Sequence, residues 1–160
     1  MLGGGGEDTL ILNAGSALTS DAAKYISEFE ILSIVDNDDD GADVFNVGLL
    51  PEIQKILISS RGTNDKITLS DIYEQQARNI TITGNQSFET MTFTLLNASQ
   101  AGRHDTLELT FDDGLESVNT IFAKAIESVG TETVIITAVD NVNISQAFGL
   151  STMTNLKTSG

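Results

Sequence analysis

The sequence has no cysteine, no tryptophan, one proline (Pro51) and one histidine (His104). Without cysteine there are no disulfides, no thiolate metal sites and no cysteine nucleophile. A single histidine cannot build a multi-histidine metal centre. Basic residues are also scarce: eight Lys and Arg stand against 23 Asp and Glu, a formal net charge of −15. That field repels a phosphate backbone and an anionic bilayer surface, so neither a nucleic acid nor a membrane surface is an expected partner. No apolar run approaches the ~20 residues of a membrane-spanning helix, and no membrane insertion is expected. The 160 residues suit one ordinary domain. The partner such a chain fits best is a hard cation.

What is present reads as a β protein. Thr, Ile, Val and Leu are abundant, and Gly, Asn and Asp divide the short apolar runs. Strands are predicted over residues 9–12, 29–35, 44–47, 53–59, 66–69, 79–83, 91–96, 106–111, 120–123, 133–139, 142–144 and 156–158. Hydroxyl and aliphatic positions alternate in them, giving each strand one dry and one polar face. Helix is predicted only over 20–25, capped by Ser20 or Asp21, and over 69–78, capped by Ser70. An aliphatic-Thr phrase recurs as Ile67-Thr68-Leu69, Ile80-Thr81-Ile82-Thr83, Leu107-Glu108-Leu109-Thr110 and Val134-Ile135-Ile136-Thr137. Irregular recurrence suits a solenoid with loops of variable length or a sandwich of short strands. The expected fold is mainly β with little helix: a right-handed parallel β-helix or β-roll-like solenoid, with a two-sheet sandwich as the alternative.

Two stretches carry chemistry. Residues 3–11 (Gly3-Gly4-Gly5-Gly6-Glu7-Asp8-Thr9-Leu10-Ile11) match the nonapeptide G-G-x-G-x-D-x-U-x at every fixed position. Its glycines permit tight turns with inward carbonyl oxygens, the Asp adds a carboxylate, and the aliphatic residue anchors a strand. Such oxygens suit calcium, although a glycine linker has the same composition. Residues 36–43 hold five carboxylates in eight positions. Asp36, Asp38 and Asp40 alternate so that they can converge on one cation while Gly41 makes the turn, and Asp43 follows. The twelfth loop position is Val47 rather than Glu, and strands flank the run, so a helical calcium hand is not expected. The competing reading is a solvated acidic turn. Asp112-Asp113-Gly114 is a third acidic turn able to donate oxygens, and Asp140-Asn141 and Asn64-Asp65 read as turns.

No enzyme is expected. His104 lies in a polar turn, no G-x-S-x-G elbow presents a nucleophile, and the glycine-rich start lacks the Lys-Ser/Thr ending of a phosphate loop. The seven Phe residues sit in or beside apolar runs and read as core.

The order of phrases is distinctive. The nonapeptide is followed by Phe29-Glu30-Ile31-Leu32, the Asp-rich loop and Asn79-Ile80-Thr81-Ile82-Thr83-Gly84. Then come Asp105-Thr106-Leu107-Glu108-Leu109 and Glu132-Thr133-Val134-Ile135-Ile136-Thr137-Ala138-Val139-Asp140. This order resembles the β-rich repeat region of bacterial surface-layer proteins and related RTX-type calcium-binding surface proteins. The resemblance implies residues 1–12 as a calcium nonapeptide with a first strand, and 13–160 as a single β-rich module of a larger protein. It implies calcium as the cofactor, with Gly4, Gly6 and Asp8 among the ligands. It also implies type I secretion to the bacterial cell surface, the export signal lying outside this sequence. Expected partners are copies of itself in a surface lattice, or cell-surface components such as polysaccharide. A glycan- or host-binding segment of an RTX-type adhesin is the alternative.

Overall fold

A computed structural model describes residues 1–13, 18–36, 42–60, 65–83, 87–97, 104–112, 114, 120–139, 141–144, 149–150 and 155–159. Its logic is visible in one strand, Thr106–Phe111, where Leu107, Leu109 and Phe111 are buried and the residues between them are not. Period-2 alternation of this kind gives a strand one dry side, which must meet another dry side. Thirteen strands are described: β1 (Thr9–Asn13), β2 (Ile31–Asp36), β3 (Asp43–Asn46), β4 (Lys55–Ser60), β5 (Asp65–Ile72), β6 (Ile80–Ile82), β7 (Ser87–Leu95), β8 (Thr106–Phe111), β9 (Thr120–Val129), β10 (Thr133–Ala138), β11 (Asn141–Ile144), β12 (Gly149–Leu150) and β13 (Asn155–Ser159). Two four-residue helices, α1 (Ser20–Ala23) and α2 (Glu74–Ala77), and a 3-10 turn at Val47–Leu49 sit between them.

Every strand pairing is parallel, and from β2 to β11 the strands alternate between two sheets. One sheet has the order β1-β2-β4-β6-β8-β10-β13 and the other β11-β9-β7-β5-β3, with β12 also on β9. The chain is therefore a parallel β-solenoid of about four turns, as the sequence predicts, and not a sandwich. Register stacks the dry residues in columns. Leu10, Leu32, Ile56, Ile80, Leu109 and Ile136 form one, and Leu12, Ile34, Ile58, Ile82 and Phe111 the next. Across the core, Phe45, Leu69 and Phe93 align in the second sheet, beside Ile67, Met91 and Ile126. Nearly all of these side chains are buried, and that burial is the main stabilising contribution.

Coil length varies while register holds. Thr9 aligns with Ile31 and Ile56 with Ile80, whereas Met91 aligns with Ile126 much further along. The surplus of that long coil falls largely outside the described residues, while the corners of the shorter coils are tightly packed. At one of them Gly48 packs against Asp71, whose φ is +54°. A Cβ on Gly48 would lie 2.7 Å from the Asp71 carbonyl oxygen. Asn46 Nδ2 donates to Asp71 Oδ2 at 2.6 Å in the same corner. Buried Gln76 ties two coils: its Oε1 accepts the Tyr73 N–H, and its Nε2 donates to the Leu50 carbonyl at 2.9 Å.

Three details differ from the sequence expectation. The helix expected over 69–78 is shortened to α2, because Leu69 and Ile72 are fully buried in β5 and pair with Phe93 and Leu95 of β7. Tertiary burial outweighs local helix preference there. The cap of α1 is Thr19, whose Oγ1 accepts the Ala22 N–H at 3.1 Å, rather than Ser20 or Asp21. Strand β9 runs on to Val129, and β12 carries no alternating pattern by which it could be read. Among the described residues no helix is long and apolar enough to cross a membrane.

Candidate functional site

The nonapeptide forms the outer edge of the first coil. Leu2 bridges Ser27 in parallel, the Gly3 N–H donates to the Ser27 carbonyl at 3.1 Å, and the Ser27 N–H donates to the Met1 carbonyl at 3.2 Å. Gly3 lies hard against the chain below: an added Cβ would collide with the Glu28 carbonyl and stand 2.9 Å from the Asp8 Cβ. Gly4 and Gly6 have φ of +111° and +125°, a region that L side chains rarely adopt, while Gly5 faces open space. The glycines of the motif thus have different duties.

Asp8 occupies the position just before β1. Its N–H donates to Glu30 Oε2 at 2.9 Å, and its carbonyl accepts both the Glu30 and Ile31 N–H groups. Its Oδ2 is buried and takes no hydrogen bond, leaving an oxygen that a cation can satisfy. Glu28, with φ of +62°, donates its N–H to Glu52 Oε2 at 2.7 Å. Between these groups runs a shallow groove of about 410 Å³ whose lining includes Gly4, Glu28, Glu30, Glu52 and Gln54. Three carboxylates and no basic side chain border it. Among the described residues, however, no three Asp, Glu or His side chains stand close enough together to hold a metal ion between them.

No protein-family profile, characterised protein or solved structure matches the chain. Asp8 belongs to a structural repeat within the chain. Asp105, before β8, repeats the arrangement: its N–H donates to Glu132 Oε2 at 2.7 Å, and its carbonyl accepts the Glu132 and Thr133 N–H groups. Both aspartates open the phrase Asp-Thr-Leu, at 8–10 and at 105–107. A carboxylate from the next coil caps the rung in each case, and charge-assisted bonds of this kind are stronger than neutral ones. Glu30 and Glu132 belong to no recognised motif in the sequence. Their signal is the acidic residue one place before an aliphatic strand, one coil after an Asp-Thr-Leu.

The other candidate ligands are dispersed. Asp36 ends β2 and Asp43 begins β3, while Asp38 and Asp40 lie outside the described residues, as does Asp113. Asp43 is buried, at the end of the column formed by Ile67, Met91 and Ile126. Asp112 Oδ1 accepts the Gly114 N–H at 2.8 Å, and Gly114 has φ of +72°, so this carboxylate serves a strand-end turn. His104 is exposed. Of the Phe residues, Phe29, Phe45, Phe93 and Phe111 are buried core; the side chains of Phe88 and Phe122, and all of Phe148, lie outside the described residues.

Proposed function

We propose that the chain is a structural calcium-binding module of a secreted bacterial surface-layer protein, working through calcium-dependent folding and lattice assembly on the cell surface. The observation that carries this reading is the nonapeptide set as the first rung of a parallel solenoid, with Gly4 and Gly6 left-handed and Asp8 Oδ2 buried without a hydrogen bond. Gly4, Gly6 and Asp8 supply oxygens at that rung. The loop bounded by Asp36 and Asp43, with Asp38 and Asp40 between, supplies a second acidic centre.

A net charge of −15 destabilises the folded state by self-repulsion, and a divalent cation relieves it where carboxylates are most crowded. Binding to the native state alone stabilises by RT ln(1 + [L]/Kd). Extracellular calcium modules bind at about 0.1–1 mM, so low-millimolar calcium contributes about 1 kcal/mol per site. No catalytic activity belongs to this reading.

The test is thermal unfolding in chelator, in calcium and in magnesium. Calcium is expected to raise the midpoint, and magnesium less, since it demands stricter octahedral geometry. Asp8→Asn, and separately the Asp38→Asn, Asp40→Asn pair, should each lose part of the calcium response. An identical midpoint in chelator and in about 10 mM calcium, roughly tenfold above the weakest affinity typical of such modules, would refute the reading.

A further inference from the structure

Acids are kept off one broad face of this molecule. In the seven-stranded sheet the residues that alternate with the buried columns point outward. Within its strands these include one acid, Glu108, and two bases, Lys55 and Lys157. A chain of net charge −15 thus carries a face of net +1. The rest of that face is hydroxyl and aliphatic: Thr81, Thr110 and Thr137 stand in one column, and half-buried Ile31 and Ile135 in the next. Lys55 forms no ion pair among the described residues. Glu108 Oε1 stands 3.5 Å from Arg78 Nη1, but that guanidinium is shared with Glu74 at 2.9 Å, so Glu108 is only partly neutralised. On an otherwise acidic molecule, this is the face that a second copy can approach without repulsion.

We infer that this face is a self-complementary docking surface for a second copy of the chain, packed sheet against sheet about a two-fold axis that runs along β6. Strand β6 is the middle one of the seven, so this axis sets β4 against the second copy's β8, and β2 against its β10. Ile31, Lys55, Glu108 and Ile135 share one register column. Lys55 therefore faces the second copy's Glu108, and Glu108 its Lys55, while Ile31 meets Ile135 on both sides. Thr81 lies on the axis and faces the second copy's Thr81. The other in-plane axis, along the stack, sets Glu108 against the second copy's Asp112, like charge on like. Charge complementarity thus selects the axis along the strands. Strands ~4.8 Å apart and about 17 Å long give roughly 500 Å² per copy, about 1,000 Å² in all, at the lower bound of specific interfaces. Association is therefore weak and depends on concentration, and the isologous contact closes at two copies. The inference rests on the self-association in the proposed function and names one contact of it.

Charge exchange tests it. Chains carrying Lys55→Glu or Glu108→Lys are sedimented alone and mixed, with circular dichroism to check that each is folded. The native chain is expected to approach twice its monomer mass as concentration rises. Each variant alone sets like charges against each other and should stay monomeric. Their equimolar mixture restores both opposite-charge pairs and should dimerise. The absence of native cysteine adds a second readout. Facing sheets lie ~10 Å apart, so a bismaleimide of about that reach should join Thr81→Cys to the same residue of a second copy. Ile11→Cys, on β1 and set against β13, lies about 29 Å from its own copy and should not be joined. A monomer at every concentration would overturn the inference and leave the face to a different partner. Single variants that dimerise as the native chain does, a mixture that stays monomeric, or cross-linking at Ile11→Cys in place of Thr81→Cys would also overturn it. The calcium response of the unfolding midpoint is read separately, so the loss of this contact and the loss of the calcium reading are distinguishable.

Discussion

The four consecutive glycines at the N-terminus give a graded test, because each meets a different environment. Alanine at Gly3 collides with the Glu28 carbonyl and sits 2.8 Å from the Glu28 carbonyl carbon, so one of the two backbones must move. Overpacking of this kind costs about 1–3 kcal/mol. The cost is capped by the energy of releasing residues 1–8 from their contacts with residues 27–31. Alanine at Gly4 or Gly6 meets no atom within 4 Å but must adopt a positive φ, at about 1–2 kcal/mol. Alanine at Gly5 meets neither penalty and restricts the unfolded chain, a gain of about 0.4–1 kcal/mol. For a chain of this size 1 kcal/mol moves the midpoint by about 2–4 °C. Measured in chelator, Gly5→Ala should raise the midpoint slightly, Gly4→Ala and Gly6→Ala should lower it, and Gly3→Ala should lower it most. Amide exchange at Ser27, which donates to the Met1 carbonyl, should quicken in the same order. Equal effects at Gly5 and Gly4, or a neutral Gly3→Ala, would refute the reasoning.

Three further outcomes follow from packing. Ile58→Ala removes a fully buried side chain from the middle of a column and should cost about 2–5 kcal/mol in urea unfolding, whereas Leu12→Ala, half-buried in the end coil of that column, should cost clearly less. Glu132→Ala withdraws the carboxylate that accepts the Asp105 N–H and should cost about 1–3 kcal/mol, with faster amide exchange at Asp105. Glu132→Gln keeps an acceptor and should cost less. His104→Ala should change stability by less than about 0.5 kcal/mol, since the side chain is exposed.

Much of the solenoid was legible in the sequence because its dry columns obey the two-residue period, as in β8, where the predicted and observed limits coincide. The recurring aliphatic-Thr phrase fitted a solenoid and a sandwich alike, and only the pairing decides: Thr81, Thr110 and Thr137 share one outward column of parallel strands. Residues 69–78 misled because Ser70 resembles a helix cap, and the pairing of Leu69 and Ile72 with β7 lies two dozen residues away. The site was half legible. Asp8 stood out by motif, but Glu28, Glu30 and Glu52 reach its surroundings only because coils of some two dozen residues set them one above another. Spacing that long carries no local signal.

The all-parallel order also fixes how the molecule answers to force. Strands β1 and β13 close opposite ends of the seven-stranded sheet, so a pull applied between them runs across the strands rather than along them. The load then falls on one rung at a time and peels the sheet, instead of shearing all its hydrogen bonds together. A middle coil, such as that separating Ile56 from Ile80, would pay out about 80 Å of chain as it gives way. The stack behaves as a series of short extensible links, each yielding separately while those behind it stay folded.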